Sequence, residues 1–334
     1  MGVTRLRDVA FVGTGIMGSA IAGHLLDAGY SLTVHTRTKK RAEDLLSRGA
    51  RWADTVADAA RDADVVFTMV GYPEEVEEVY LSTNGLIRAC RKGAWMVDLT
   101  TSSPQLARDI HDAAEVMDKH AVDCPVTGGE IGARERLLTL MLGCDQQTAE
   151  PILPLLQCFS SRILYFDGAG NGQVAKLCNQ VALAANMVGY AEAFAIAEQA
   201  GIAPERIRDL VLSGTGASAA MERLAPLSLQ GDYRPGFKSE HLRKDLSLAL
   251  QLGEELGLSL PGTDGTAALF DLLCRAGGLH LGTQAVSLLY QDEASGAAAG
   301  LDWSAAFDED GDEHEHECAC GEHCCGHGEC DCHE

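Results

Sequence analysis

Cations and aromatic rings are what this 334-residue chain has least of: Lys and Arg number 26 against 49 Asp and Glu, and Phe, Trp and Tyr make up 5%. So small a basic complement excludes the electrostatic footprint by which proteins hold nucleic acid. Only nine prolines punctuate the chain, so long uninterrupted elements are expected. No stretch reads as long and apolar enough to span a membrane. An export signal is not read either: Arg5 and Arg7 precede Val9 to Leu26, but glycines interrupt that run. Gly2 lacks the Ser or Thr at position 6 that N-myristoylation needs. These absences point to a cytoplasmic protein without a membrane partner. Its body cysteines, Cys90, Cys124, Cys144, Cys158, Cys178 and Cys274, then read as reduced thiols.

The formal charge of −23 is concentrated at one end, because residues 308–334 hold 11 acidic residues and no Lys or Arg, leaving −12 for the rest. With 46% hydrophobic residues, that rest can bury two domain cores.

Asp8 to Val12 reads as a buried strand, and Gly13-Thr14-Gly15-Ile16-Met17-Gly18 then opens an apolar helix to about Ala28. This is G-x-G-x-x-G in the setting that gives it meaning: a tight turn, a close backbone approach to a pyrophosphate, and free helix N–H groups facing the phosphates. A second strand, Ser31 to Thr36, ends without the acid that would hold the ribose 2′-hydroxyl of NAD. It runs instead into Arg37-Thr38-Lys39-Lys40. Cations there suit a 2′-phosphate, so NADP is expected, with NAD possible.

Strand and helix patterns then alternate: Val65 to Met69, Pro73 to Tyr80, Trp95 to Leu99, Pro104 to Lys119. The expected fold is α/β, a doubly wound Rossmann-type N-terminal domain over residues 1–167. Val70, just past a strand end, and the Asp98-Leu99-Thr100-Thr101 passage lie where such sheets bind ligands. Residues 168–291 read as a long interdomain helix followed by an all-α domain. The helix covers Gly168 to Ala200, and on its first turns Gln173, Lys176, Asn179 and Gln180 share one arc while Val174, Leu177, Cys178, Val181 and Ala185 fill the rest.

The motifs FVGTGIMG, DLTTSSP, DCPVTGG, GAGNGQVAKLCNQ and PGFKSEHLRKDLSLAL, in this order between Asp8 and Tyr290, resemble the β-hydroxyacid dehydrogenase family. The resemblance implies that Lys176 is the catalytic lysine and that Thr127, Gly128 and Gly129 hold a substrate carboxylate. It places Gln180 where many members have a substrate-binding asparagine, with Asn179 beside it. It implies that Thr101 and Lys244 contact the cofactor, with Phe237 and Asp245 lining the cleft, and it favours a homodimer or homotetramer. The reaction implied is hydride transfer between a short 3-hydroxy acid and its semialdehyde. A phosphogluconate-dehydrogenase-like or imine-reducing relative is the alternative. Arg136 and Leu137 depart from the family pattern, standing for a glycine and a threonine. Arg136 reads as pointing to solvent, against the option that it extends an anion site. Gln284 stands where some members carry Asp.

Residues 292–334 read as a flexible linker, Asp292 to Gly300, and an acidic tail, disordered or ordered by metal. In the tail Cys318, Cys320, His323, Cys324, Cys325, His327, Cys330, Cys332 and His333 offer thiolate and imidazole donors to Zn²⁺ or another soft metal, without a recognisable finger spacing. A metal-handling protein is the rival reading from another class.

Overall fold

The computed structural model describes residues 6–307. Six strands form a parallel sheet: β1 (Asp8–Val12), β2 (Ser31–His35), β3 (Arg51–Trp52), β4 (Val65–Thr68), β5 (Trp95–Asp98) and β6 (His120–Asp123), in the order β3-β2-β1-β4-β5-β6. Both faces are covered, so the strands read as continuous apolar runs whose alternate residues serve two cores. Phe11, Val65, Phe67 and Val97 face one core with Leu25, Leu140 and Phe159; Ala10, Val12, Val66 and Met96 face the other with Tyr80 and Ile110. A smaller sheet, β7 (Val126–Thr127), β8 (Leu138–Leu142) and β9 (Ser160–Tyr165), completes the first of these cores.

The helix Asn171–Gln199 follows β9 directly and spans roughly 43 Å at 1.5 Å per residue. Its later turns carry Met187, Tyr190 and Phe194 into a separate core with Leu242 and Leu246 of the helix Ser239–Glu255 and Phe270 and Leu273 of the helix Pro261–Arg275. By length and composition the long helix is apolar enough to cross a membrane, contrary to the sequence expectation that no stretch would be. Its Ala, Val and Leu outweigh the few polar residues when hydropathy is averaged.

The polar arc of its first turns is the buried one. Gln173, Lys176 and Gln180 are almost fully enclosed, while Cys178, Ala182 and Ala185 are exposed. A helical wheel defines an arc but not what lies across from it. Here the arc meets the ends of β5 and β6 and the helix Ser239–Glu255.

The segment expected to be a flexible linker is instead ordered up to Phe307. Asp292 caps a short helix, Glu293–Ala298, by accepting the Ser295 N–H at 2.8 Å. Gly296 is buried so closely against the Trp303 indole that a Cβ would stand 2.8 Å from its Nε1, and Leu301 and Ala306 join the helical core. Small residues here mark close packing rather than flexibility.

Candidate functional site

The order reversal in the sheet falls between β2-β1 and β4, and the glycine loop sits at the end of β1 there. Gly13 adopts φ +97°, and a Cβ on it would lie 2.1 Å from the Met69 carbonyl oxygen, so only glycine permits this turn. Gly15 faces open space, and the helix Ile16–Asp27 begins with no side-chain cap on its N–H groups. Thr14 Oγ1 is buried without a hydrogen-bond partner. A cradle of uncapped amides with an orphaned hydroxyl fits a pyrophosphate. Ile16 is exposed at its rim, Met17 packs inward against the core, and Gly18 is buried.

Arg37 extends into solvent from the end of β2 and ion-pairs with Glu75, while Thr38 is exposed. Lys39 lies over the Trp52 ring, 5.0 Å from its centroid. Arg37 is thus tied to the helix that follows β4, and Lys39 to the strand on the other side, β3.

Beside the glycine loop, where Gly13 packs against the Met69 carbonyl, a chain of bonds runs from Val70 to the long helix. Val70 N–H donates to Thr100 Oγ1 at 3.0 Å, and the Thr100 carbonyl accepts from Gln173 Nε2 at 2.7 Å. Gln173 Oε1 in turn accepts the Ser102 N–H at 2.9 Å. The loop after β5 is thus fastened to the helix one turn before Lys176. Beneath it, Asp98 Oδ1 accepts from the Thr68 hydroxyl and the Thr100 N–H, and burial pushes its carboxyl up to about 6 against those bonds.

The helix N-terminus is anchored by Asp123 at the end of β6, which accepts from Gly170 N–H at 2.8 Å and Gln173 N–H at 2.9 Å. The residue that would cap it in sequence, Gly170, has no side chain to do so, and that bare start was the available signal for an acceptor from elsewhere. Gly172 closes the same junction: a Cβ there would meet the Met141 carbonyl oxygen at 2.4 Å.

Lys176 is 7% exposed, and burial pulls its ammonium down to about 8; Asp245 opposes that fall and Lys244 adds to it. Lys244 Nζ lies 3.0 Å from Asp245 Oδ1 and donates to the Thr101 carbonyl, crossing from the helical domain to the sheet. Gln180 Nε2 donates to Asp245 Oδ2 at 2.6 Å, and its Oε1 accepts from Asn179 at 2.9 Å. Both ends of Gln180 are therefore taken up within the protein, unlike the free substrate-binding amide implied by the family pattern.

Thr127 closes β7, and Gly128 and Gly129 follow with φ of +131° and +64°. A Cβ on Gly129 would face the Gly236 carbonyl, next to Phe237, whose ring stacks on His241 at 6.4 Å. The loop expected to hold a carboxylate thus borders the helical domain.

Arg136 adopts φ +59°, the conformation for which glycine is favoured. Its Nε donates to His24 Nδ1 at 3.1 Å, and it approaches Asp27 at 3.9 Å, at the end of the helix away from the glycine loop. It is half-exposed there and does not extend an anion site. Gln284 is buried and donates to the Asp232 and Arg234 carbonyls, holding a turn. Among the described residues no His, Cys, Asp and Glu cluster could hold a metal ion. The metal-donor residues expected between Cys318 and His333 lie outside the described residues.

Residues 8–168 match the family model of the NAD binding domain of 6-phosphogluconate dehydrogenase, and residues 170–290 that of the NAD-binding region of NADP-dependent 3-hydroxyisobutyrate dehydrogenase. A 2-hydroxy-3-oxopropionate reductase of Escherichia coli is 36% identical, over 82% of this chain and 93% of its own. The chain belongs to the β-hydroxyacid dehydrogenase family. It is an NAD(P)-dependent oxidoreductase of the hydroxyacid dehydrogenase class. An uncharacterized oxidoreductase of Bacillus subtilis is 42% identical over 85% of this chain and 99% of its own. The structure of a Mycobacterium tuberculosis 3-hydroxyisobutyrate dehydrogenase with L-serine covers 86% of this chain and 100% of that one, with a TM-score of 0.79 and 29% identity. In this β-hydroxyacid dehydrogenase, bonds through Thr100 and Gln173 fasten the segment after β4, which lies beside the glycine cradle, to the helix that carries the enclosed lysine.

Proposed function

We propose that the protein interconverts a short 3-hydroxy acid and its semialdehyde, with NADP preferred. The observation that carries this reading is Lys176, a lysine enclosed on the long helix, with its pKa lowered to about 8, one turn past the Gln173 side chain that fastens this helix to the Thr100 loop. Gly13 to Gly18 would hold the cofactor pyrophosphate, and Val70, Thr101 and Lys244 its nicotinamide half. Arg37 and Thr38 would hold a 2′-phosphate. When bound, the nicotinamide ring supplies or accepts the hydride.

In the oxidative direction the neutral Lys176 Nζ accepts the hydroxyl proton; in the reductive direction its ammonium donates a proton to the carbonyl oxygen. The Thr127 hydroxyl and the Gly128 and Gly129 N–H groups hold the carboxylate, and Phe237 walls the cleft. Gln180, donating to Asp245, holds the Asp245 carboxylate near Lys176. The second copy or copies of a homo-oligomer would leave this cleft within each chain. The tail donors of residues 308–334 would bind a soft metal as an accessory to the reaction, on the strength of composition alone.

The test is a panel of glyoxylate, succinic semialdehyde, tartronate semialdehyde and methylmalonate semialdehyde with NADPH and NADH, on the full chain and on a chain ending at Phe307. Turnover of tartronate or methylmalonate semialdehyde, the two whose reduction gives a 3-hydroxy acid, with NADPH favoured and activity retained on truncation, is the expected result; glyoxylate and succinic semialdehyde, which give 2- and 4-hydroxy acids, test neighbouring chain lengths. No turnover of any of them would sink the substrate class, and loss of turnover on truncation would make the tail more than an accessory.

A further inference from the structure

The Arg37–Glu75 ion pair has an unusual position. Arg37 lies just past β2, and Glu75 lies in the first turn of the helix Pro73–Leu81 that follows β4. Between β2 and β4 runs β1, which ends in the glycine loop. Strands two apart are about 10 Å from each other, so the pair reaches across the crevice that the glycine loop opens. A dinucleotide lying along that loop must pass it.

The two partners are not equally free. Glu75 is 21% exposed, and its Oε2 accepts the Gly71 N–H at 2.6 Å, whereas Arg37 is 85% exposed. Arg37 is the half that moves. A ribose 2′-hydroxyl asks nothing of it, and the pair can stay closed. A 2′-phosphate carries a charge near −2, so it draws the guanidinium away from Glu75 and then sits near an anchored carboxylate of its own sign. Loss of the pair and the repulsion both weaken phosphate binding.

We propose that Glu75 is a specificity-determining residue, competing with the cofactor 2′-phosphate for Arg37 and so moderating the preference for NADP over NAD. This rests on the assignment of Arg37 to the phosphate in the proposed function. Glu75 thereby narrows the gap between the two cofactors from the NADP side alone, leaving NAD binding as it is.

The test is equilibrium binding, read from the fluorescence of NADPH and NADH titrated with the full chain at low salt, for wild type, Glu75→Gln, Arg37→Ala and the double variant. Glutamine retains an oxygen to accept from Gly71, so only the charge is removed. Glu75→Gln should tighten NADPH about two- to five-fold, the scale of an exposed ion pair, and leave NADH unchanged. In the Arg37→Ala background most of that gain should vanish. If Arg37→Ala weakens NADPH selectively while Glu75→Gln leaves NADPH unchanged or weaker, the competition is overturned and the phosphate role stands. If Arg37→Ala affects both cofactors equally, the phosphate role itself falls, and the proposal with it.

Discussion

Replacing Asp245 by Asn should move the pH profile of the reaction downward. With its ammonium pulled to about 8, about one Lys176 in four is neutral at pH 7.5, against about one in a thousand for a lysine at 10.5. The Asp245 carboxylate holds that value up, and Lys244, 3.0 Å from Asp245 Oδ1, pushes it down. Asn removes the first influence and also strips Lys244 of its counter-charge, so both effects favour the neutral amine. The Lys176 inflection should fall by about one pH unit. An amide oxygen can still accept from Gln180, so the packing of this fully buried position is kept. The assay is kcat/KM against pH with saturating cofactor in both directions. Oxidation needs the base form, so its rate is lost as pH falls through the inflection; reduction needs the acid form, so its rate is lost as pH rises through it. In the variant both limbs should shift to lower pH together. An inflection that stays in place, or moves upward in either direction, would refute the assignment of the titrating group to Lys176 under Asp245 control.

Lys176→Met should lower turnover by roughly 10²- to 10⁴-fold while cofactor affinity, read by fluorescence titration, changes little; near-normal turnover would remove the acid/base role. Gly172→Ala forces a Cβ against the Met141 carbonyl oxygen and Asp123 Oδ2, so thermal melting should show a loss of about 1–3 kcal/mol, and an unchanged melting temperature would mean that the helix start can shift aside.

The sheet was legible because parallel strands covered on both faces leave apolar runs, as in Val65 to Thr68, and because glycine marks the turn after β1. Strand ends were read one residue long at Thr36 and Leu99, and Leu99 still donates across to the Thr68 carbonyl at 2.8 Å although its strand is counted only to Asp98. The polar arc of the long helix could be read, but not that it faces inward, because its partners, Thr100, Ser102 and Asp245, are distant in sequence. Asp123 escaped notice for the same reason: its role as a helix anchor exists only once β6 and Gly170 meet. The segment from Asp292 to Gly300 misled through composition, since Gly296 beneath Trp303 looks the same in sequence as a glycine in a hinge.

The joint between the β5 loop and the long helix is made by a carboxamide. Gln173 donates to the Thr100 carbonyl and accepts from the Ser102 amide, and none of these groups ionises or attracts counterions. Three residues further on, the proposed reaction has Lys176 gain and lose a proton in every cycle. A rivet built from an ion pair would slacken with each change of charge beside it, and would soften with salt. A neutral one lets the electrostatics of the cleft swing through each turnover while its walls keep their spacing.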